Sequence, residues 1–488
     1  MKTPVLFFVM LIILVFSGCA GSDAVQKSAI NNPATLFSVE QVRNDAEKMF
    51  TTVENVHPNI FFTTSREEYA AAKEHALNLL TLPMTRVEFY KQIAPVVAMI
   101  GDGHTNVWPP TDEFAAERTK GMRSFPFNVL YVQKKGIAIE RNYSEDSSIV
   151  PGSLLLSVNG RNADSLFRSF TRYFSGEQER YREKVTATNF ALFLWMHDVR
   201  PPFAVSLKSG DNVGEIIFEG VEISRKKLID SLLLTSQDKA SQYTFSVTGD
   251  SIGYIDFRSM MYLEQFRTFL KNTFTELQQK KTKGLIVDLR KNGGGNSQLG
   301  DELISYFSGT PYSMMNRKEW KMSAEYKQFL RERFIPWYLR WFPITWVNSD
   351  ARKILGAEDG ETIFYHGDTA APGPNALRYS GKVVFLIGVN TFSSAMMTVD
   401  AVKEFSLATI IGEETGGIPS SYGETYGYSL PATRLWFNCS SALFVRANGR
   451  TDDRRGVLPD IEVKQSDEDT QKNIDTVLDF AKEWIKTH

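Results

Sequence analysis

A chain of 488 residues, 42% of them apolar and 23% charged, can bury a large core and divides into more than one folded unit, which sets it apart from fibrous and disordered classes. Its 55 Lys and Arg against 57 Asp and Glu leave a formal net charge of -2. With no long basic run, nothing in the charge pattern suits nucleic acid as a partner.

The first residues, MKTPVLFFVMLIILVFSGC, place Lys2 ahead of an apolar run from Val5 to Phe16 and small residues just before Cys19, the layout of a secretory signal. The run is short for a membrane span. The stretch Phe16-Ser17-Gly18-Cys19 resembles a bacterial lipobox, with Phe16 in place of the usual Leu. The resemblance implies cleavage before Cys19, its acylation, and an exported lipoprotein held in the cell envelope. A plain cleaved signal or an uncleaved anchor is the alternative. Ala20, which is not an inner-membrane-retaining Asp, points to the outer membrane in a Gram-negative host. Residues 20–36 are small and polar and read as a tether. Cys439 is the one other cysteine, so a lipidated Cys19 leaves no intramolecular disulfide.

From residue 37 to 110, apolar residues recur at helical spacing (Val42, Ala46, Met49, Phe50, Val53; Phe89, Ile93, Val96, Val97) and predict an N-terminal helical region. It ends in AMIGDGHTNVWPP, where Gly101, Gly103 and Pro109-Pro110 stop regular structure. His104 therefore falls on a loop or strand edge. Residues 122–220 change to short β runs, FNVLYV, GIAIE and SLLLSV, before an Asn159-Gly160 turn. The segment IVPGSLLLSVNGRNADSL resembles the second half of a PDZ domain, although the glycine-rich carboxylate-binding loop of such domains is not visible.

Beyond Tyr243, continuous apolar runs (SIGYIDF, GLIVDLR, VVFLIG, ATIIGEE) alternate with amphipathic helical stretches. This predicts an α/β core over residues 243–465 with a largely parallel sheet buried on both faces, α+β for the chain as a whole. An aromatic-rich insertion at 310–379, with Trp320, Trp337, Trp341 and Trp346, reads as a helical subdomain closing the core in preference to a substrate-gripping lid. Residues 466–488 read as a C-terminal helix.

Two segments carry the chemistry. In VVFLIGVNTFSSAMMTVDAV a buried strand runs into Asn390-Thr391-Phe392-Ser393 and a helix follows. Ser393 thus meets exposed N–H donors and the positive end of a helix dipole, although a serine there also serves as an ordinary N-cap. In GLIVDLRKNGGGN, Gly293, Gly294 and Gly295 follow a strand and let the backbone approach a carbonyl closely and offer it an N–H. The Lys-Ser/Thr ending of a phosphate loop is missing.

DLRKNGGG after a strand, then strand-NTFSSA-helix, then IIGEETGG, resembles the core signature of the tail-specific (carboxyl-terminal-processing) serine proteases over residues 243 to 463. The resemblance implies a core of crotonase-like ββα repeats, Ser393 as nucleophile, and oxyanion donors from Ser394 and from Gly294 or Gly295. Many members place a lysine base where this chain has Ile418, and a Glu where it has Met396, so a Ser/Lys dyad is excluded at the usual place. Another branch, the tricorn-like core proteases and relatives of interphotoreceptor retinoid-binding protein, brings a histidine from a D-G-H-T-like segment. Here that segment is Asp102-Gly103-His104-Thr105, which implies His104 as base, a role suited to an imidazole.

A carboxylate should orient the imidazole. Asp453, just before a Gly-x-x-Pro-Asp segment where tricorn-like relatives carry an acid, is preferred over Glu424. The six histidines are scattered with no metal-ligand spacing, so neither metal nor cofactor is expected. The expected function is endopeptidase or carboxyl-terminal-processing cleavage of extended polypeptides outside the cytoplasm. The alternatives are a non-catalytic binder of peptide or apolar ligand on the same fold, and an esterase or short-peptide hydrolase.

Overall fold

Three capping boxes in succession launch the N-terminal helices. Ser38, Ser65 and Thr85 each accept an N–H from the third helical residue, while Gln41, Glu68 and Glu88 bond back to the cap backbone, satisfying donors that a helix start leaves open. The computed structural model describes residues 35–233, 242–466, 469 and 474–488. The expected signal, the acylated Cys19 and the tether up to residue 34 lie outside the described residues. Among the described residues no helix is long and apolar enough to cross a membrane.

The helices α1 (Val39–Val56), α2 (Arg66–Leu79) and α3 (Arg86–Ala98) lead to the two-residue strand β1 (Asn106–Val107) and α4 (Thr111–Thr119). A second group follows: β2 (Phe127–Val132), β3 (Gly136–Asn142), β4 (Leu154–Val158), β5 (Arg161–Asn162), α5 (Ala163–Thr171), α6 (Glu179–Thr188), α7 (Phe190–Met196), β6 (Phe203–Ser209), β7 (Asn212–Phe218) and α8 (Ile223–Leu233). Its strands form one antiparallel sheet in the order β2-β3-β4-β6-β7, with β5 on β4. Aromatic side chains such as Phe125, Phe127, Phe167, Phe170, Phe190 and Phe193 fill the space beneath it.

The catalytic-looking half begins with β8 (Tyr243–Val247), β9 (Ile252–Phe257), α9 (Leu263–Lys280), β10 (Gly284–Asp288) and α10 (Gln298–Ser305). The insertion supplies β11 (Arg317–Lys321), α11 (Ala324–Phe334), α12 (Ile344–Val347), α13 (Ser349–Leu355) and β12 (Thr362–His366). Then come β13 (Lys382–Ile387), α14 (Ser393–Glu404), β14 (Thr409–Gly412), β15 (Ser421–Ser429), β16 (Trp436–Val445), β17 (Ile461–Glu462) and α15 (Thr476–Thr487).

Strands β17-β14-β13-β10-β9-β8 form a sheet that is parallel except for the edge strand β8. Its central strands are buried on both faces, one against α9, α10 and α14 and the other against α15, which is why they read as unbroken apolar runs.

A third sheet, β1-β16-β11-β12 with β15 on β16, is wholly antiparallel. It joins segments more than 300 residues apart in sequence, Asn106 opposite Asn438 and Val107 opposite Phe437. The expected helical insertion therefore contains two strands of this sheet. Trp320 on β11 is buried as expected of a core-closing segment, but Trp337, Trp341 and Trp346 are exposed among the described residues. The α1 helix is fixed to the same sheet by Asp45, whose buried carboxylate accepts the N–H groups of Ala432 and Thr433 and the Thr433 hydroxyl just before β16.

Candidate active site

Strand β13 ends at Ile387, and the chain turns through Gly388–Phe392 before α14 begins at Ser393. Thr391 pins this turn: its hydroxyl donates to the Leu289 carbonyl at 2.8 Å and accepts the Gly388 N–H at 3.1 Å. Ser393 itself has φ of +51°, a left-handed conformation uncommon for a residue with a side chain and found where surrounding structure enforces it. The result is a hydroxyl held at the mouth of a cleft and at a helix start.

His104 reaches that hydroxyl from the far end of the sequence, with Nε2 3.0 Å from Ser393 Oγ. Its loop is clamped to β16. Ser440 Oγ donates to Asp102 Oδ2 at 2.6 Å, the Ser440 N–H donates to Thr105 Oγ1 at 3.0 Å, and Asn438 Nδ2 donates to the His104 carbonyl at 2.5 Å. Asp102 is fully buried and also accepts from Thr105 Oγ1 at 2.5 Å and lies 3.2 Å from His57 Nε2. The rings of His104, Phe392 and Tyr181 lie in series, with centroid separations of 4.8 Å and 4.6 Å, tilted by 30° in the first pair and stacked in the second. Gly103 is required by this packing, because a Cβ there would lie 2.6 Å from Phe392 Cζ.

Two carboxylates stand behind the imidazole. Asp102 Oδ1 accepts the His104 backbone N–H at 2.9 Å and lies 3.7 Å from Nδ1, close enough for charge attraction and too far for a hydrogen bond. Glu177 accepts the Gly103 N–H at 3.4 Å, and its other oxygen, like His104 Nδ1, is buried without a hydrogen-bond partner among the described residues. Burial works to lower the His104 pKa, but Asp102 and Glu177 outweigh it and the net shift is upward. Burial likewise works to raise Asp102, yet the two imidazoles hold it well below the usual carboxylate range. Glu177, buried beside the Asp102 charge, is pushed up to about 7.

On the other side of Ser393 lies the glycine loop after β10. Gly294 and Gly295 have φ of +100° and +136°, and a Cβ on Gly295 would sit 2.3 Å from the Met260 carbonyl oxygen. The Gly294 N–H is already donated to Asn292 Oδ1 at 2.9 Å. Ser394 Oγ bonds the Gly295 carbonyl at 2.7 Å, fastening the loop to α14. Of the two glycines the sequence left open, Gly295 is the one that lines the cleft with Ser393, Ser394 and His104.

The cleft holds about 290 Å³. Its wall includes Lys318, Asp301, Asp368 and Glu424.

Neither acid expected to orient His104 is bonded to it among the described contacts. Asp453 is held by Arg446 at 3.1 Å, in a cluster where Arg446 also pairs with Asp400 and, at 2.6 Å, with Glu404 of α14. Glu424 pairs with Lys318 at 2.9 Å on the cleft wall. Asp102 and Glu177 stand beside the imidazole instead. Asp102 sits in the segment that singles out His104, two residues before it, so the histidine motif itself carried the signal. Glu177 comes from the loop before α6, which has no sequence mark. Among the described residues no group of His, Cys, Asp and Glu could hold a metal ion.

A serine hydroxyl bonded to an imidazole at the start of a helix is the equipment of a serine hydrolase. Residues 251–463 match the model for peptidase family S41, a family of serine-type peptidases. Solved structures agree on the fold. Mature CPAF complexed with lactacystin superposes with a TM-score of 0.62 at 14% identity, covering 92% of this chain and 98% of that one. Mature CPAF alone gives 0.61 at 14% identity, covering 92% and 96%. No curated protein matches the sequence.

Proposed function

We propose that this serine-type peptidase cleaves extended polypeptides outside the cytoplasm, with Ser393 as nucleophile and His104 as its base. The carrying observation is the 3.0 Å contact between His104 Nε2 and Ser393 Oγ, formed across 289 residues and buttressed on both sides. Ser393 Oγ donates its proton to His104 and attacks the scissile carbonyl. The N–H groups of Gly295 and Ser394 hold the oxyanion. His104 then protonates the leaving amine, and water releases the acyl group by the same route.

Asp102 takes the part of the orienting acid. It fixes the His104 backbone, lies beside Nδ1 and stays ionised, so it favours the imidazolium that forms during attack. In this reading Glu424 shapes the cleft wall, Asp453 pairs with Arg446, and neither touches the imidazole. A cleft of this size suits an extended chain over a folded surface, which favours unfolded or tail segments as substrates.

Export and acylation at Cys19 are part of the proposal and rest on the Met1–Cys19 layout. They place the enzyme on a cell-envelope membrane surface, facing polypeptides there. The test is degradation of an unfolded model protein by the chain from Ala20, which keeps every described residue, compared with Ser393→Ala. Cleavage by the first and none by the second is expected. Tight binding of peptide or apolar ligand without turnover would replace the reading with a binding function, and turnover confined to small esters would replace the substrate class.

A further inference from the structure

Among the described residues, the segment 334–347 of the insertion carries an unusual concentration of exposed aromatic side chains. Within about ten residues it exposes Trp337 and Trp341, each 79% accessible, and Trp346, 78% accessible, together with Tyr338 and Val347. Large aromatic side chains ordinarily supply core area, and Trp320 of the same insertion does so. An exposed cluster of this kind marks a contact surface.

The charges around it choose the partner. From Arg331 to Lys353 the chain carries Arg331, Arg333, Arg340, Arg352 and Lys353 against Glu332 and Asp350, a local surplus of three positive charges on a chain whose net charge is -2. Among the described residues none of these five cations is paired with a carboxylate. Arg340 donates to the carbonyls of Glu332 and Ile335, Arg352 to those of Thr345 and Trp346, and Arg333 and Lys353 lie over aromatic rings. Elsewhere on the surface arginines find acids, as Arg168 with Asp164 and Arg455 with Glu414. Tryptophan and tyrosine interspersed in sequence with unneutralised arginine is the composition that settles at a bilayer interface, rings at the headgroup level and guanidinium groups on anionic lipid.

We infer that the segment 334–347 is a membrane-contact patch that lies on an anionic bilayer surface. The patch grows out of β11 and β12, and Met315, Lys318 and Asp368, on or beside those strands, line the cleft. Contact through it therefore ties the β11–β12 pair, which contributes to the cleft wall, to the lipid surface, whether or not Cys19 is acylated.

The test is co-sedimentation of the chain from Ala20, which has no acylated cysteine, with vesicles of phosphatidylcholine alone or mixed with phosphatidylglycerol. The expected result is binding to the mixed vesicles, at least several-fold weaker binding to the neutral ones, and about tenfold loss in a Trp337→Ser, Trp341→Ser, Trp346→Ser variant. The variant should keep the wild-type thermal unfolding midpoint, because the three rings are exposed. Arg331→Gln with Arg333→Gln should reduce the preference for the anionic vesicles. No binding to either vesicle overturns the inference. So does binding that the triple variant leaves unchanged, or a tryptophan-dependent dimer in lipid-free solution that accounts for the exposed face.

Discussion

The proposed nucleophile and the proposed base of this peptidase are built in opposite ways. Ser393 is produced locally: a strand, a pinned turn and a helix start, all within Lys382–Glu404, present its hydroxyl at positive φ. His104 is produced at long range, on a loop that means nothing until Ser440 and Asn438 of β16 hold it. The local element is strained and rigid, whereas the distant one depends on a chain of hydrogen bonds to a buried carboxylate. Residues of the first kind fail by losing their atoms, and residues of the second kind also fail by moving.

Removing the reacting atoms breaks both sides of that comparison at once. Ser393→Ala and His104→Ala are each expected to lower kcat by about 10⁴-fold or more, and the double variant by little beyond the worse single one. Steady-state hydrolysis of an unfolded protein measures both.

Asp102→Asn tests the long-range side alone. It preserves shape and removes the charge beside Nδ1, and a fall in kcat of about 10²- to 10⁴-fold is expected. A subtler displacement comes from Gly103→Ala, where the new methyl meets Phe392 and pushes the loop. A loss of about 10- to 100-fold in kcat/KM with little change in unfolding temperature would show that position, not presence, limits the base.

The smallest effect expected is a shift in pH. His104 must be neutral to accept the serine proton, and the Asp102 and Glu177 charges raise its pKa above the ordinary 6.5. Activity therefore falls on the acid side as His104 takes up a proton, with a midpoint above that value. Glu177→Gln removes one of the charges that favour the imidazolium, so the acid limb of kcat/KM should move to lower pH while the plateau holds. Movement to higher pH would show that Glu177 acts in another way.

The same division explains what could be read in advance. The parallel strands β9, β10, β13 and β14 were legible because burial on both faces makes them apolar throughout, and the turns that follow β10 and β13 carry their glycines and serine in the order of the motif. Strand β11 was not legible. Its sequence, Arg-Lys-Glu-Trp-Lys, has four charges in five residues, and Lys318 is buried there only because Glu424 lies 2.9 Å away and the Trp320 ring 3.7 Å away. The choice of acid failed for the same reason. Nothing near Asp453 in sequence announces that Arg446 occupies it, and Glu177 reaches the site through the packing of Tyr181 against Phe392, which no spacing encodes. The exposed tryptophans were read from their residue type as core, and only their accessibility separates them from Trp320.

The pairing of β1 with β16 also sets a schedule. Synthesis delivers the histidine loop early and the serine turn much later, and the strand that joins them, Trp436–Val445, later still. Until that strand is made and seated, a growing chain carries a nucleophile with no partner to activate it. On the proposed Ser393–His104 pair, the chain would be inert through most of its own birth and would gain the power to cut at about the moment when little of its own sequence remains unfolded to be cut.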